Sequence, residues 1–221
     1  MSSAIISWSG GKDSALALYY LLLEKKYRFK KLITTISTDY NRISMHGIRK
    51  ELLEKQSQSM GIPVHIISLP KDVTNDKYEE IMKKEMNKFK SQRVLNVVFG
   101  DIFLEDIRKY RESNLSKIGM NALFPLWGKS TKDLAKKFLD LGFEAIITCV
   151  DSTILDASFI GQLYNEDFLK SIPSNVDPCG ENGEFHSFVF NGPIFSCPIQ
   201  FKKGNIVFRE DRFYFIDLIP Q

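Results

Sequence analysis

The chain has 221 residues, 43% hydrophobic and 26% charged, with 30 basic and 27 acidic side chains giving a net charge of +3. This composition excludes a disordered chain, the length suits roughly one domain of 100–200 residues, and the charge falls short of a dedicated nucleic-acid binder. No apolar run approaches the roughly 20 residues that span a bilayer, and Cys149, Cys179 and Cys197 are too far apart for a CxxC zinc or redox motif, so a reducing, cytoplasmic setting is expected.

Residues 4–8 read as a buried strand, and Gly10, Gly11, Lys12 and Asp13 end that run too soon for a signal peptide. Residues 13–26 follow as a helix, with Leu16, Tyr19, Tyr20 and Leu23 at spacings of three and four. The basic group Lys25, Lys26, Arg28, Lys30 and Lys31 reads as cations at that helix's C-terminus and a solvated surface. Strands at 32–38, 64–69 and 95–99 then alternate with helices at 47–60, 74–90 and 104–118. A helix at 130–141, with Ser130 and Asp133 resembling a capping box, leads to a further strand at 145–150. Such alternation predicts an α/β fold, a doubly wound parallel sheet of about five strands. Ligands in such sheets bind outside the carboxyl ends of the strands, here after Trp8, Thr38, Phe99 and Val150. Past Asp151 the pattern changes to a turn-rich segment at 177–183 and strands at 185–190, 194–201 and 206–216, with Gly204-Asn205 as a hairpin candidate. The expected division is a nucleotide-binding α/β domain at 1–155 and a small C-terminal mixed β element at 156–221 packed on it.

The most informative segment is Ser9-Gly10-Gly11-Lys12-Asp13-Ser14, between the first strand and the first helix. Two glycines let the backbone turn and approach a ligand. The helix N-terminus favours an anion, Lys12 adds a positive charge, and the hydroxyls of Ser9 and Ser14 can donate to phosphate. Asp13 can hold Mg²⁺ or cap the helix. The segment is neither a Walker A loop nor a GxGxxG fingerprint. It resembles the PP-loop of the ATP-pyrophosphatase superfamily. That resemblance implies ATP with Mg²⁺, split to AMP and pyrophosphate, with Ser7, Ser9, Gly10, Gly11, Lys12, Asp13, Ser14 and Gly100 on the nucleotide.

The second constellation is the run from Asp177 to His186, continuing to Asn191-Gly192-Pro193. Glu184 and His186 fall on one face of a strand, where a carboxylate beside an imidazole can bind Mg²⁺, relay a proton or deprotonate an amine. A polar turn entering an exposed strand explains the spacing equally well. The segment 180–193 is similar to the GEGGEYET…DGP signature of the diphthine–ammonia ligase family. Met45-His46-Gly47-Ile48-Arg49, Gly100-Asp101-Ile102 with Glu105 and Arg108, 124–127 and 151–161 also resemble that family. Asn182, His186 and Asn191 depart from the pattern, and the ENGEFH form resembles a bacterial-type branch acting on a carboxylate other than diphthine.

The resemblance implies an ATP-dependent, AMP-forming ligase that adenylates a carboxylate and transfers ammonia to it. Lys12, Asp13, Glu184 and His186 are the catalytic candidates, with Asp13 and Glu184 as Mg²⁺ ligands. His46, Asp101, Asp151, Glu181 and Asn182 are the substrate candidates. His46 also reads as an ordinary loop histidine, Asp101 and Asp151 as caps, and Glu105 with Arg108 as a surface ion pair. Cys179 is set aside as a nucleophile because adenylation needs no thiol. Expected partners are a small-molecule or protein carboxylate and ammonia, with no membrane; nucleic acid is disfavoured and a homodimer left open. Two alternatives remain: a tRNA-modifying PP-loop enzyme and a non-enzymatic ATP-binding protein.

Overall fold

Alternating side chains along the first strand set up the two faces of the molecule. The computed structural model of the protein describes residues 1–38, 42–43, 47–70 and 73–221. In β1 (Ser2–Ser7), Ala4 and Ile6 join one core cluster and Ile5 the other. The chain continues through α1 (Lys12–Glu24), β2 (Tyr27–Ser37), α2 (Lys50–Met60), β3 (Val64–Leu69), α3 (Asn75–Ser91), β4 (Asn96–Val98), α4 (Glu105–Ser116) and β5 (Asn121–Leu123). These strands form a parallel sheet in the order β3-β2-β1-β4-β5. Helices α1 and α2 place Leu16, Leu18, Leu52 and Leu53 on one face; α3 and α4 place Met86, Phe89 and Leu115 on the other. The strand order reverses at β1, so the segments after β1 and β4 border the crevice where such sheets take ligands.

The remaining elements are α5 (Thr131–Asp140), β6 (Glu144–Asp151), a 3-10 turn (Ala157–Phe159), α6 (Glu166–Ser171), β7 (Phe185–Asn191), β8 (Phe201–Arg209) and β9 (Phe213–Pro220). A second, antiparallel sheet has the order β7-β6-β9-β8. It shares one apolar cluster with α1 and α2, through Ile146, Phe188 and Val189. Arg42 and Arg49 both grip Asp217 of β9, at 2.8 and 2.6 Å. Their hydrogen bonds hold the Asp217 carboxyl down at about 2, so this tie between the sheets stays charged across the physiological range.

Several expectations are corrected. Residues 145–150 do not complete the parallel sheet; they lie in β6, central in the second sheet between β7 and β9. Their unbroken apolar run reflects cover on both faces, which a central antiparallel strand can have as well as a parallel one. The fifth parallel strand is β5, only three residues long. No strand covers 194–200, where Pro193 just before the segment and Pro198 inside it lack ladder donors. Gly204-Asn205 lies inside β8 at a register irregularity, and the turn is at 210–212, with Glu210 and Asp211 at φ 55 and 49°. Helix α1 ends at Glu24 with Lys25 in the left-handed conformation, so Lys30 and Lys31 belong to β2. Glu105 pairs with Lys109 and Arg108 with Glu112, not with each other. The Ser130 cap forms as expected, accepting from the Asp133 N–H at 3.3 Å. No helix among the described residues is long and apolar enough to cross a membrane.

Candidate active site

The glycine loop at 9–14 leaves β1 at its carboxyl edge and enters α1 directly. Gly10 adopts φ +78°, and a Cβ there would sit 3.0 Å from Gln56 Oε1 and Leu53 Cδ2. Only glycine gives the turn at this closeness. The fully buried Gln56 amide holds the loop from below. Its Oε1 accepts from Trp8 Nε1 at 2.8 Å, and its Nε2 donates to Gly10 O at 3.1 Å and Val189 O at 2.7 Å. The Val189 N–H donates to Gly10 O at 2.9 Å, so β7 is fastened to the same turn. Ser9 Oγ accepts from the Gly11 N–H, Ser14 Oγ donates to Gly11 O, and Ser187 Oγ accepts from the Lys12 N–H. The serine hydroxyls expected to face phosphate thus also brace the loop itself.

Lys12 is only 4% exposed. Its Nζ donates to both Asp13 oxygens, at 3.0 and 2.7 Å, and to the Cys179 carbonyl. It lies 5.5 Å from the centroid of the Phe185 ring and 6.0 Å from that of Tyr164. Burial lowers the Lys12 pKa, but the negative groups around it, Asp13 first, outweigh that and raise it above its ordinary value. The ammonium therefore stays charged at the junction between the loop and the 177–184 turn.

That turn carries its own bracing. Glu184, 2% exposed, accepts from the Asp177 N–H at 3.0 Å and from Asn182 Nδ2 at 2.9 Å, both through Oε1. Its Oε2 is buried with no hydrogen-bond partner. Asp177 Oδ2 accepts from the Glu181 N–H, and the Tyr164 hydroxyl donates to Pro178 O. Glu181 reaches across to the loop after β4, where Oε1 accepts from the Ile102 N–H at 2.7 Å. Burial pushes the Glu181 carboxyl up to about 7, against the pull of that N–H. Burial also pushes His186 down to about 4, so its imidazole is neutral at pH 7. A base so weak is poorly matched to taking a proton from ammonium.

The raised Glu181 carboxyl has a measurable consequence. Between its ordinary value of 4.5 and about 7, the folded protein holds a proton that the unfolded chain has released. Stability from this group is therefore lost as pH rises through that window. Glu181→Gln keeps an acceptor for Ile102 and removes the ionisation. Thermal unfolding should show it stabilised by about 1 kcal/mol at pH 8 after solvent screening, roughly 3 °C in Tm, and unchanged at pH 4.

The other predicted residues fall as follows. Gly100 approaches the α1 backbone rather than open space; a Cβ there would lie 2.9 Å from the Asp13 carbonyl carbon. Asp101 pairs with Arg111 at 2.9 Å, and Arg111 lies 4.3 Å over the Phe99 ring. Asp151, 1% exposed, is taken up by Thr153 and Arg212, which tie β6 to the 210–212 turn. Asn182 is exposed and caps Glu184. Ser7 and Ser9 line a cleft of about 720 Å³ that runs from the loop into the space between α3 and α4. His46 and Met45 lie outside the described residues. Among the described residues no group of three or more His, Cys, Asp or Glu is placed to hold a metal ion. The Cys179 thiol is buried, donates to Thr131 O and is pushed far above its ordinary value by burial, which fits its exclusion as a nucleophile. Gln56 and Ser187 were not singled out from the sequence, and Asp177 and Ile102 stood there only inside longer runs, with no role of their own.

A glycine loop between β1 and α1, a buried lysine at its head and a strand order that reverses at β1 define an α/β protein with its loop at the switch point of a parallel sheet. The chain belongs to the diphthamide synthase family: the diphthamide synthase N-terminal domain matches residues 1–122 and the C-terminal domain residues 130–218. A diphthine–ammonia ligase from Schizosaccharomyces pombe is 28% identical over 142 residues, 62% of this chain. The chain's match spans about a quarter of that relative's length, 23%. A crystal structure described as a predicted subunit of tRNA methyltransferase from Methanocaldococcus jannaschii is 17% identical, with a TM-score of 0.45, covering 66% of this chain and 80% of that one. The U34-tRNA thiolase NcsA from Methanococcus maripaludis is 18% identical, with a TM-score of 0.37, covering 64% of this chain and 58% of that one.

Proposed function

We propose that the protein is an AMP-forming carboxylate–ammonia ligase. A substrate carboxylate oxygen attacks the α-phosphorus of ATP, and the bond to the β-phosphate's bridging oxygen breaks. Pyrophosphate leaves and an acyl adenylate remains. Ammonia then attacks the acyl carbon, AMP departs with the former carboxylate oxygen, and the surplus proton passes to a base. The observation that carries this reading is Lys12, whose Nζ spans Asp13 of the loop and the Cys179 carbonyl of the 177–184 turn. One cation thereby links the pyrophosphate end to the segment that most resembles the ligase signature.

The roles follow from positions. The loop N–H groups and the α1 terminus would hold the β- and γ-phosphates, with Lys12 offsetting their charge. Glu181, at about 7, is better matched than His186 to accept the proton from ammonium near neutral pH. Glu184 Oε2 is a carboxylate oxygen without a partner, which suits it to a Mg²⁺ ion otherwise held by phosphates and water. That ion would supply charge neutralisation for the leaving pyrophosphate. Catalysis on this scheme is mainly positioning and electrostatic stabilisation.

A panel of carboxylates, small molecules and proteins, incubated with ATP, Mg²⁺ and ammonium, tests the reading. At least one should give AMP formation that requires both ammonium and the carboxylate. AMP formation indifferent to ammonium throughout the panel would sink it.

A further inference from the structure

The cleft beside the phosphate loop is larger and more apolar than an adenosine requires. At the strand side its lining carries hydroxyls, Ser7 and Ser9 from the loop end of β1 and Thr34 and Thr35 from β2. Toward α3 and α4 the lining is apolar: Met82, Met86, Leu115 and Ile118, all part of the apolar cluster on that face of the sheet or packed against it. At about 720 Å³ it falls well inside the range of roughly 300–1,000 Å³ typical of pockets that enclose a whole small ligand. A triphosphate anchored at the loop leaves only the nucleoside to enter, and the hydroxyl-lined side suits its polar edges. Lys83, Arg111 and Lys117 share the lining with Asp76, Glu79 and Glu80, three charges of each sign, so the charges select neither sign while the apolar residues select bulk.

We infer that the inner half of this cleft, between α3 and α4, is the acceptor subsite. Its ligand is a small carboxylate with an apolar, preferably aromatic, body. The inference rests on the ligase reading and narrows its substrate class. The apolar body lies between the helices, and the carboxylate points back toward Ser7 and Ser9, the edge at which the nucleotide would be activated. Burying such a body contributes about 25 cal/mol per Å² of apolar surface, which makes the apolar lining rather than a charged contact the source of selectivity.

The probe is 8-anilinonaphthalene-1-sulfonate, an aromatic monoanion that brightens when it enters an apolar site. It should bind the wild-type protein with an affinity that saturating Mg·ATP changes by less than about twofold. Met82→Trp, which fills the inner half, should weaken the dye about tenfold while Mg·ATP still binds; Met82→Leu should behave as wild type. Asn114→Trp, entering from α4, should repeat the effect if the α3 variant folds poorly. Competitive displacement of the dye by Mg·ATP would assign the whole cleft to the nucleotide and overturn the inference. Dye binding untouched by both tryptophan variants would place it elsewhere and do the same. Failure of Mg·ATP to bind wild-type protein, read in its own titration, would instead remove the ligase reading beneath it.

Discussion

Replacing Lys12 with methionine is expected to weaken Mg·ATP binding by about 10- to 100-fold and to slow AMP formation by about 10³-fold. Methionine matches the lysine stem closely enough to refill a slot that is only 4% exposed, so the loop should keep its shape. What disappears is the charge. Lys12 Nζ meets both Asp13 oxygens and the Cys179 carbonyl, and without it the Asp13 carboxyl and the carbonyl dipole would face incoming phosphates with no cation between them. Breaking an enclosed pair also costs stability, held to about 2 kcal/mol here because the Asp13 side chain is 31% exposed. Arginine should not rescue the variant. Its guanidinium is broader than an ammonium, and the Phe185 and Tyr164 rings stand 5.5 and 6.0 Å from Nζ. Calorimetric titration with Mg·ATP checks the prediction without an acceptor; an unchanged dissociation constant would remove Lys12 from the phosphate site.

The glycine loop at 9–14 is legible in the sequence because its geometry is local. Two glycines, a lysine and a helix start within six residues need no distant partner to define an anion site, and the structure places them directly after β1. Parallel strands that alternate with helices are legible for the same reason. What fails is whatever depends on remote neighbours. Strand β5 has three residues and no pattern of its own; it exists because Asn96–Val98 offers it an edge. The apolar run of β6 is identical in character to a buried parallel strand, and only its pairing with β7 and β9 distinguishes it. Glu184 and Asp151 both read as site carboxylates. Glu184 is half consumed by its own turn, and Asp151 is neutralised by Arg212 from 61 residues away. The carboxyl with the most useful proton affinity, Glu181, owes it to burial against the loop after β4, which no local pattern announces.

Gln56 is the clearest case of a residue whose weight is invisible in the sequence, and its replacement by leucine should be the most damaging single change to the fold near the site. On a helix with Glu54 and Lys55 just before it, a glutamine reads as one more solvated side chain. In the structure it is fully buried, with Trp8 Nε1–H, Gly10 O and Val189 O as partners. Leucine fills most of the volume but satisfies none of them. Gly10 O keeps the Val189 N–H, whereas the Trp8 indole and the Val189 carbonyl are left without partners. Each stranded buried group costs about 1–3 kcal/mol, for a total near 3 kcal/mol and a fall of about 10 °C in Tm. The loss should reach the nucleotide as well, because Gly10 at φ +78° is held in place by this amide and β7 together. Thermal unfolding paired with Mg·ATP titration separates the two roles. Lys12→Met should lose affinity with only a modest fall in Tm, while Gln56→Leu should lose more in Tm and some of the affinity with it. A Gln56→Leu protein that melts at the wild-type temperature would mean that the loop is shaped by its glycines and β7 alone.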